Sequence, residues 1–116
     1  MSPLIKSIIE GIQDKKGENI SVVCLDKIEG ALCSYFVICQ AQTSNQLLAI
    51  ADSVEEKTRE NLGVKPVFVQ GTAFAHWVAM DYTDAIVHIM DPEMRAFYDI
   101  EHLWEDAPIT RIPDLD

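Results

Sequence analysis

Two aspartates lie close enough in this 116-residue chain to share a metal ion. Asp81 and Asp84 are three positions apart, and paired carboxylates can hold magnesium for phosphoryl chemistry. That chemistry needs further converging carboxylates and a glycine- and serine-rich phosphate anchor, which the residues before them do not supply. Asp84 follows an apolar run and precedes another, a position typical of a turn, where aspartate bonds its own backbone. The pair therefore indicates a turn rather than a magnesium site.

Three histidines and three cysteines are the other candidates for chemistry. His76, His88 and His102 could bind zinc together with a thiol, but the sequence has neither an i, i+4 histidine pair nor a CxxC pair. A cysteine nucleophile with His88 as its base is equally unsupported, because every cysteine lies in an apolar run that raises a thiol pKa. An odd number of buried cysteines favours reduced thiols. We predict no catalytic site, no metal and no cofactor.

The stretch from His76 to Trp104 holds the best candidates for binding. Its apolar runs 77–82 and 85–90 flank Thr83-Asp84, the spacing of a two-residue β-hairpin. The register assigns one face to the core: Val78, Met80, Tyr82, Ala85, Val87 and Ile89. The other face mixes aromatic, charged and titratable side chains: Trp77, Ala79, Asp81, Ile86, His88 and Met90. We interpret this second face as functional. The alternative is that a helix covers it and a basic group pairs with Asp81.

The segment after the hairpin extends this surface. Asp91-Pro92 is a helix start, followed by one helix or two short ones. Tryptophan, tyrosine and arginine dominate the energetics of protein interfaces. We assign Phe97 and Trp104 to the core, and Trp77 and Tyr98 to the functional surface.

Charge narrows the class of partner. Nine basic residues against nineteen acidic ones give a net charge of −10, and residues 81–106 hold eight acids and one base, Arg95. Nucleic-acid binders usually carry the opposite sign, because phosphate contacts come from lysine and arginine. The expected partner is a basic protein. No apolar run reaches the ~20 residues of a membrane span, and the N-terminus lacks a signal-peptide pattern, so we expect a cytoplasmic protein.

The elements that position these residues follow from periodicity. Ser2-Pro3 starts a helix with an isoleucine stripe, which Gly17 closes through a left-handed cap, and Thr43 starts a second helix that ends at Gly63. Strands are predicted at 20–25, 33–39 and 66–70, before the two of the hairpin. This order predicts an α/β or α+β domain over residues 1–107, with five strands and flanking helices. Prolines make residues 108–116 an extended, loosely held tail.

The residues also resemble a known family. The run from Trp77 to Met90, then Arg95, Tyr98 and the stretch 101–104, is similar to the ribosomal silencing factors, the Iojap-related family. Ser34 to Cys39, Ser44, Gln46, the stretch 49–51 and Gly71 agree in the same order. This chain departs from the family pattern at Ala41 and Thr83, where glycine is usual, at Gln70, where an acid is common, and at His76.

The resemblance implies an α/β fold with a mixed five-stranded sheet, similar in outline to nucleotidyltransferases but without their activity. It implies binding to the large ribosomal subunit through protein L-fourteen, a block on joining of the small subunit, repression of translation, and a homodimer when free. The partner-binding residues predicted on this basis are Trp77, Asp81, Tyr82, Asp84, His88, Glu93, Arg95, Tyr98 and Glu101. Two alternatives stay open: a nucleotidyltransferase-like, phosphate-handling enzyme, and an adaptor or dimerisation module for another basic protein.

Overall fold

The computed structural model describes residues 1–115. The elements are α1 (Pro3–Asp14), β1 (Glu18–Cys24), β2 (Tyr35–Gln40), α2 (Ser44–Leu62), β3 (Phe68–Gln70), β4 (Trp77–Asp81), β5 (Ala85–Met90), α3 (Pro92–Tyr98), a 3₁₀ turn (Ile100–His102) and β6 (Ile109–Ile112).

One sheet of six strands organises these elements, in the order β3-β4-β5-β2-β1-β6. β2 and β5 run parallel and the other neighbours antiparallel, so the sheet is mixed. α1 and α2 pack on one face through a large apolar cluster, while α3, the 3₁₀ turn and the loop after β1 cover part of the other. The α/β class with a mixed sheet and flanking helices is confirmed.

The sequence analysis was wrong in two predictions, the count of five strands and the loosely held C-terminal tail. Residues 109–112 form β6, which pairs with β1 from Ile20↔Ile112 to Val23↔Ile109, and Cys24 N–H donates to the Pro108 carbonyl at 2.9 Å. The prolines flank this strand rather than interrupt it, so its ladder donors stay intact. Residue 116 of the predicted tail lies outside the described residues.

Both long helices begin as predicted. Ser2 Oγ accepts from Ile5 N–H at 3.2 Å, and Thr43 Oγ1 accepts from Gln46 N–H at 3.1 Å. α2 ends at Gly63, whose φ of +67° is the left-handed cap expected of glycine.

The end of α1 differs from the prediction. Lys16, not Gly17, takes the left-handed conformation, with a φ of +59°. Gly17 is needed for space instead, because a Cβ there would lie 2.4 Å from Cγ2 of Ile12.

The hairpin has the predicted register, from Trp77↔Met90 to Asp81↔Ile86, and its six core-face residues are all buried. The turn is tight. Tyr82 N–H donates to the Ala85 carbonyl at 2.8 Å, and Asp84 N–H donates to the Tyr82 carbonyl at 2.9 Å. Thr83 stands between them with a φ of +74°, a left-handed conformation that is strained for a β-branched residue.

Candidate docking surface

An open cleft lies over the outer face of β3 and β4, with α3 as its far wall. It has a volume of about 630 Å³ and is lined by Phe68, Gln70, Gly71, Phe74, Trp77, Ala79, Asp81, Ile86, His88, Met94 and Tyr98. A second depression of about 380 Å³ continues it over Phe74, His76, Asp91, Glu93, Met94 and Phe97. We call these two depressions, with the hairpin turn that carries Asp84, the docking surface.

A short, well-capped helix supplies the far wall. Asp91 Oδ1 accepts from Met94 N–H at 2.8 Å, Pro92 occupies the first turn, and Asp99 ends the helix in a left-handed conformation. Met94 and Tyr98 are one helical turn apart and therefore project towards the same cleft. The Tyr98 ring lies 5.1 Å from the Trp77 ring, which closes one end of the cleft with aromatic side chains.

His88 lies at the floor of the cleft and holds the indole of Trp77. The Trp77 Nε1–H donates to His88 Nδ1 at 3.0 Å, so the neutral imidazole carries its proton on Nε2. Burial lowers the pKa of His88 to about 4, which keeps the ring neutral at pH 7. Only 8% of the residue is exposed, and its ring meets Phe36 edge to face. His88 was predicted as a contact residue; its position makes it a support for Trp77.

Arg95 and Glu101 form a buried ion pair beneath α3, not part of the exposed surface as predicted. Arg95 Nε donates to Glu101 Oε1 at 2.9 Å, Nη2 to Ser21 Oγ at 3.2 Å and Nη1 to Gln40 Oε1 at 3.3 Å. Burial raises the pKa of Glu101, but the hydrogen bonds from Arg95 and Ser21 and the charges of Arg95 and Arg111 outweigh it and hold this pKa below its usual range. The pair anchors α3 and the 3₁₀ turn to β1 and β2.

Two aromatic residues also lie elsewhere than predicted. Tyr82 points into the core, as the hairpin register required, and its hydroxyl is 2.9 Å from the Thr58 hydroxyl, so it is not a surface contact. Phe97 is 80% exposed instead of buried; Arg95 is the buried residue of α3. Trp104 does pack against the core, with its ring 5.4 Å from that of Phe36.

Among the predicted contact residues, Trp77, Asp81, Asp84, Glu93 and Tyr98 remain at least partly accessible. Asp81 Oδ1 accepts the Thr83 N–H at 2.7 Å, and no lysine, arginine or histidine of residues 1–115 forms an ion pair with it, which contradicts the alternative of a basic partner within the chain. The same alternative also predicted that a helix covers this face of the hairpin. That part holds for Met90, which packs against the segment after the hairpin.

Sequence reasoning missed three aromatic residues of this surface, Phe68, Phe74 and Phe97, of which Phe68 is 55% exposed. Pro66 carried a usable signal for Phe68, since proline at a strand start is typical of edge strands, whose side chains are less covered. For Phe74, which lies in a loop, the sequence held no signal.

The buried ion pair leaves the exposed charge of this segment acidic. Arg95 is the single lysine or arginine of residues 81–106, and it is buried against Glu101. The remaining seven acids of that segment are at least partly exposed, and no lysine or arginine from the segment neutralises them at the surface. His76 Nδ1 lies 2.8 Å from Asp91 Oδ2, and His102 Nδ1 lies 2.7 Å from Asp99 Oδ1.

No group of three histidine, cysteine or carboxylate side chains within residues 1–115 could hold a metal ion. Burial raises the pKa of Cys39 to about 12 and also raises the pKa of Cys33, which disfavours a reactive thiolate. Across this part of the chain, no helix combines the length and apolar character needed to cross a membrane.

The fold and this surface define a small α/β protein with an acidic, aromatic face suited to docking a basic partner. The sequence profile of the family described as "Ribosomal silencing factor during starvation" matches residues 1–116. The chain belongs to the ribosomal silencing factor family.

Individual relatives agree. The ribosomal silencing factor RsfS of Bacillus subtilis is 32% identical over 113 residues, which cover 97% of this chain and 92% of that protein. Protein Iojap of Zea mays chloroplasts is 27% identical over 92% of this chain and 46% of its own length. A crystal structure of a Chromobacterium violaceum protein superposes with a TM-score of 0.82 at 34% identity, covering 88% of this chain and 83% of that one.

Proposed function

We propose that this protein binds the large ribosomal subunit through its basic protein L-fourteen and thereby blocks joining of the small subunit and represses translation. The observation that carries the proposal is the docking surface itself. It presents exposed aromatic side chains in a segment whose one arginine is buried and neutralised. Such a surface complements a basic protein in charge and supplies the residue types that anchor interfaces. The names of the relatives indicate the ribosome as the target.

Steric occlusion requires binding but no catalysis. A standard interface of about 1,600 Å² would cover the cleft, the second depression and the hairpin turn, and would place the rest of this domain beside the partner. Its site of action is then the compartment that holds large subunits, which we propose is the cytoplasm.

Co-sedimentation with purified large subunits tests the binding, and sucrose-gradient analysis of subunit joining tests its consequence. We expect the protein to sediment with large subunits at low salt, to be lost progressively as salt rises, and to reduce the yield of joined ribosomes. Recovery of the protein only in the supernatant, even at low salt, would contradict the proposal. Capture of a different basic protein from a lysate would then favour the adaptor function, and magnesium-dependent nucleotide binding would favour the enzyme.

We further propose that the free protein is a homodimer. The observation that favours it is the exposure of Phe68, Phe74 and Phe97 in the absence of a partner, since exposed apolar surface of this kind commonly marks an interface. Sedimentation equilibrium should give twice the mass of 13.0 kDa. A monomer at micromolar concentration would remove this proposal and leave ribosome binding untouched.

A further inference from the structure

Resting on the proposed function, we infer that the partner contributes an extended segment that pairs with β3 as a seventh strand of the sheet. This segment has a large apolar side chain at its centre and basic residues on both sides. The inference comes from the free edge of β3, its position beside the cleft, and the distribution of acids around it.

The two edges of the sheet differ in how they are protected. β6 is bounded by Pro108 and Pro113 and carries the charge of Arg111, features that discourage pairing with another chain. The stretch 66–75, which contains β3, has no charged residue. All three residues of β3 are exposed, and Val67 before them is exposed too. An apolar, uncharged edge strand is a ready template for strand addition.

The backbone of β3 offers free hydrogen-bonding groups in the right direction. Tyr82 N–H donates to the Ala85 carbonyl, so Met80 and the other even-numbered residues of β4 direct their backbone groups to β5. Asp81 and Ala79 therefore face β3, where their partners are Phe68 and Gln70, and Val67 N–H also donates to the Asp81 carbonyl at 2.8 Å. Val69, opposite Met80, directs its N–H and C=O to the open edge. An incoming strand can bond to Val69 without disturbing the ladder between β3 and β4.

An added strand would lie beside β3 and continue the sheet face that carries the cleft. The side chains of Phe68 and Gln70 line the cleft on that side and Tyr98 on the other, with Trp77 and Ile86 between them. Alternate side chains of the incoming strand project to that face, and a cleft of about 630 Å³ accepts a large apolar one.

Acids stand at both ends of this cleft. Asp81 and Asp84 lie at the hairpin-turn end of β4, while Asp91 and Glu93 lie at the opposite end, where β5 leads into α3. This distribution favours a basic residue before and after the apolar anchor. In the ribosome-bound protein this basic segment displaces any second copy of the chain, whose net charge of −10 complements the acids around the cleft less well.

Proline at position 69 tests the inference. Val69→Pro removes the outward N–H of an edge residue, a change that an edge strand tolerates, while Val69→Ala shortens the same side chain and keeps the donor. We expect Val69→Pro to weaken binding to large subunits about tenfold or more, and Val69→Ala to stay within about threefold of the unaltered protein. Equal affinities for the two variants would overturn strand addition and leave the proposed function standing.

A second measurement needs no variant. Amide hydrogen exchange of the peptide covering residues 66–71 should slow at least about tenfold when the unaltered protein binds large subunits, as new backbone hydrogen bonds form. Exchange that stays unchanged in the bound protein would overturn the inference. Absence of any binding by the unaltered protein would overturn the proposed function, and this inference with it.

Discussion

The indole of Trp77 donates its Nε1–H to Nδ1 of His88, 3.0 Å away on the outer face of the hairpin. The two residues are diagonal neighbours, since Trp77 pairs with Met90 and His88 with Ala79. This hydrogen bond exists only with a neutral histidine, because a protonated ring has no acceptor. The conformation of the largest aromatic residue of the docking surface is thus linked to the protonation state of a buried residue.

Stability should fall when His88 becomes protonated. Its pKa is about 4 in the folded protein against 6.5 when unperturbed, so the fold favours the neutral form. This contribution is fully present above pH 6.5 and is lost as the pH falls towards 4, amounting to about 3 kcal/mol. Urea unfolding at several pH values between 7.5 and 4.5 measures it. His88→Gln keeps an acceptor but does not titrate, so its free energy of unfolding should decrease less over this pH range, by roughly 3 kcal/mol. An identical decrease in both proteins would contradict a lowered pKa for His88.

Arg95 should stabilise the fold through its buried pair. Arg95→Met leaves the Glu101 carboxylate buried without its nearest cation, and we expect the free energy of unfolding to fall by about 3 kcal/mol. Arg111→Met is the matched control: Arg111 lies 3.6 Å from the same carboxylate but is exposed, so its loss should change stability by less than about 1 kcal/mol. Urea unfolding at pH 7 compares them, and similar losses in the two variants would show that burial is not the cause.

Exposed aromatic residues should carry much of the binding energy. Tyr98→Ala and Phe97→Ala remove rings that pack against each other on the surface, 4.9 Å apart, and we expect each to weaken binding to large subunits by more than about 1 kcal/mol. Their melting temperatures should stay near that of the unaltered protein. Leu32→Ala serves as control, because Leu32 is exposed and apolar but lies outside the docking surface. Unchanged affinity in both aromatic variants would show that another face binds.

Charge on the docking surface should act mainly on the rate of association. Glu93→Lys reverses an exposed acid beside the second depression, and Glu56→Lys makes the same change in net charge on α2, which packs on the other face of the sheet. Stopped-flow association with large subunits at low salt should be several-fold slower for Glu93→Lys than for Glu56→Lys, with the difference shrinking as salt rises. Equal rates would mean that only the total charge matters.

The hairpin turn should gain stability from glycine. Thr83 adopts a φ of +74°, which a β-branched side chain resists, so Thr83→Gly should raise the free energy of unfolding by about 1 kcal/mol despite the extra freedom of glycine in the unfolded chain. Thr110→Gly, in β6, should instead lower it. Chemical denaturation gives both values. A loss of stability in Thr83→Gly would contradict the assignment of strain to Thr83, since glycine keeps the N–H that Asp81 accepts.

Local rules account for the parts of the fold that were predicted correctly. The two-residue connection and the period of two determined the hairpin register, and with it the burial of Val78, Met80 and Ile89. The capping residues Thr43 and Gly63 likewise marked α2 correctly, because a cap acts on backbone groups a few residues away.

Long-range contacts decided what the sequence left open. Arg95 reaches Ser21, 74 positions away, and β6 pairs with β1 across nearly the whole chain; neither contact leaves a local pattern. Residue type did not separate Phe97, on the surface, from Trp104, against the core, because both are apolar aromatics in one short segment. The sequence by itself determined the elements, the hairpin register and the excess of acid, all properties of neighbouring residues. Only the tertiary structure decided which side chains of that acidic, aromatic segment meet water, because burial depends on what the rest of the chain packs against them.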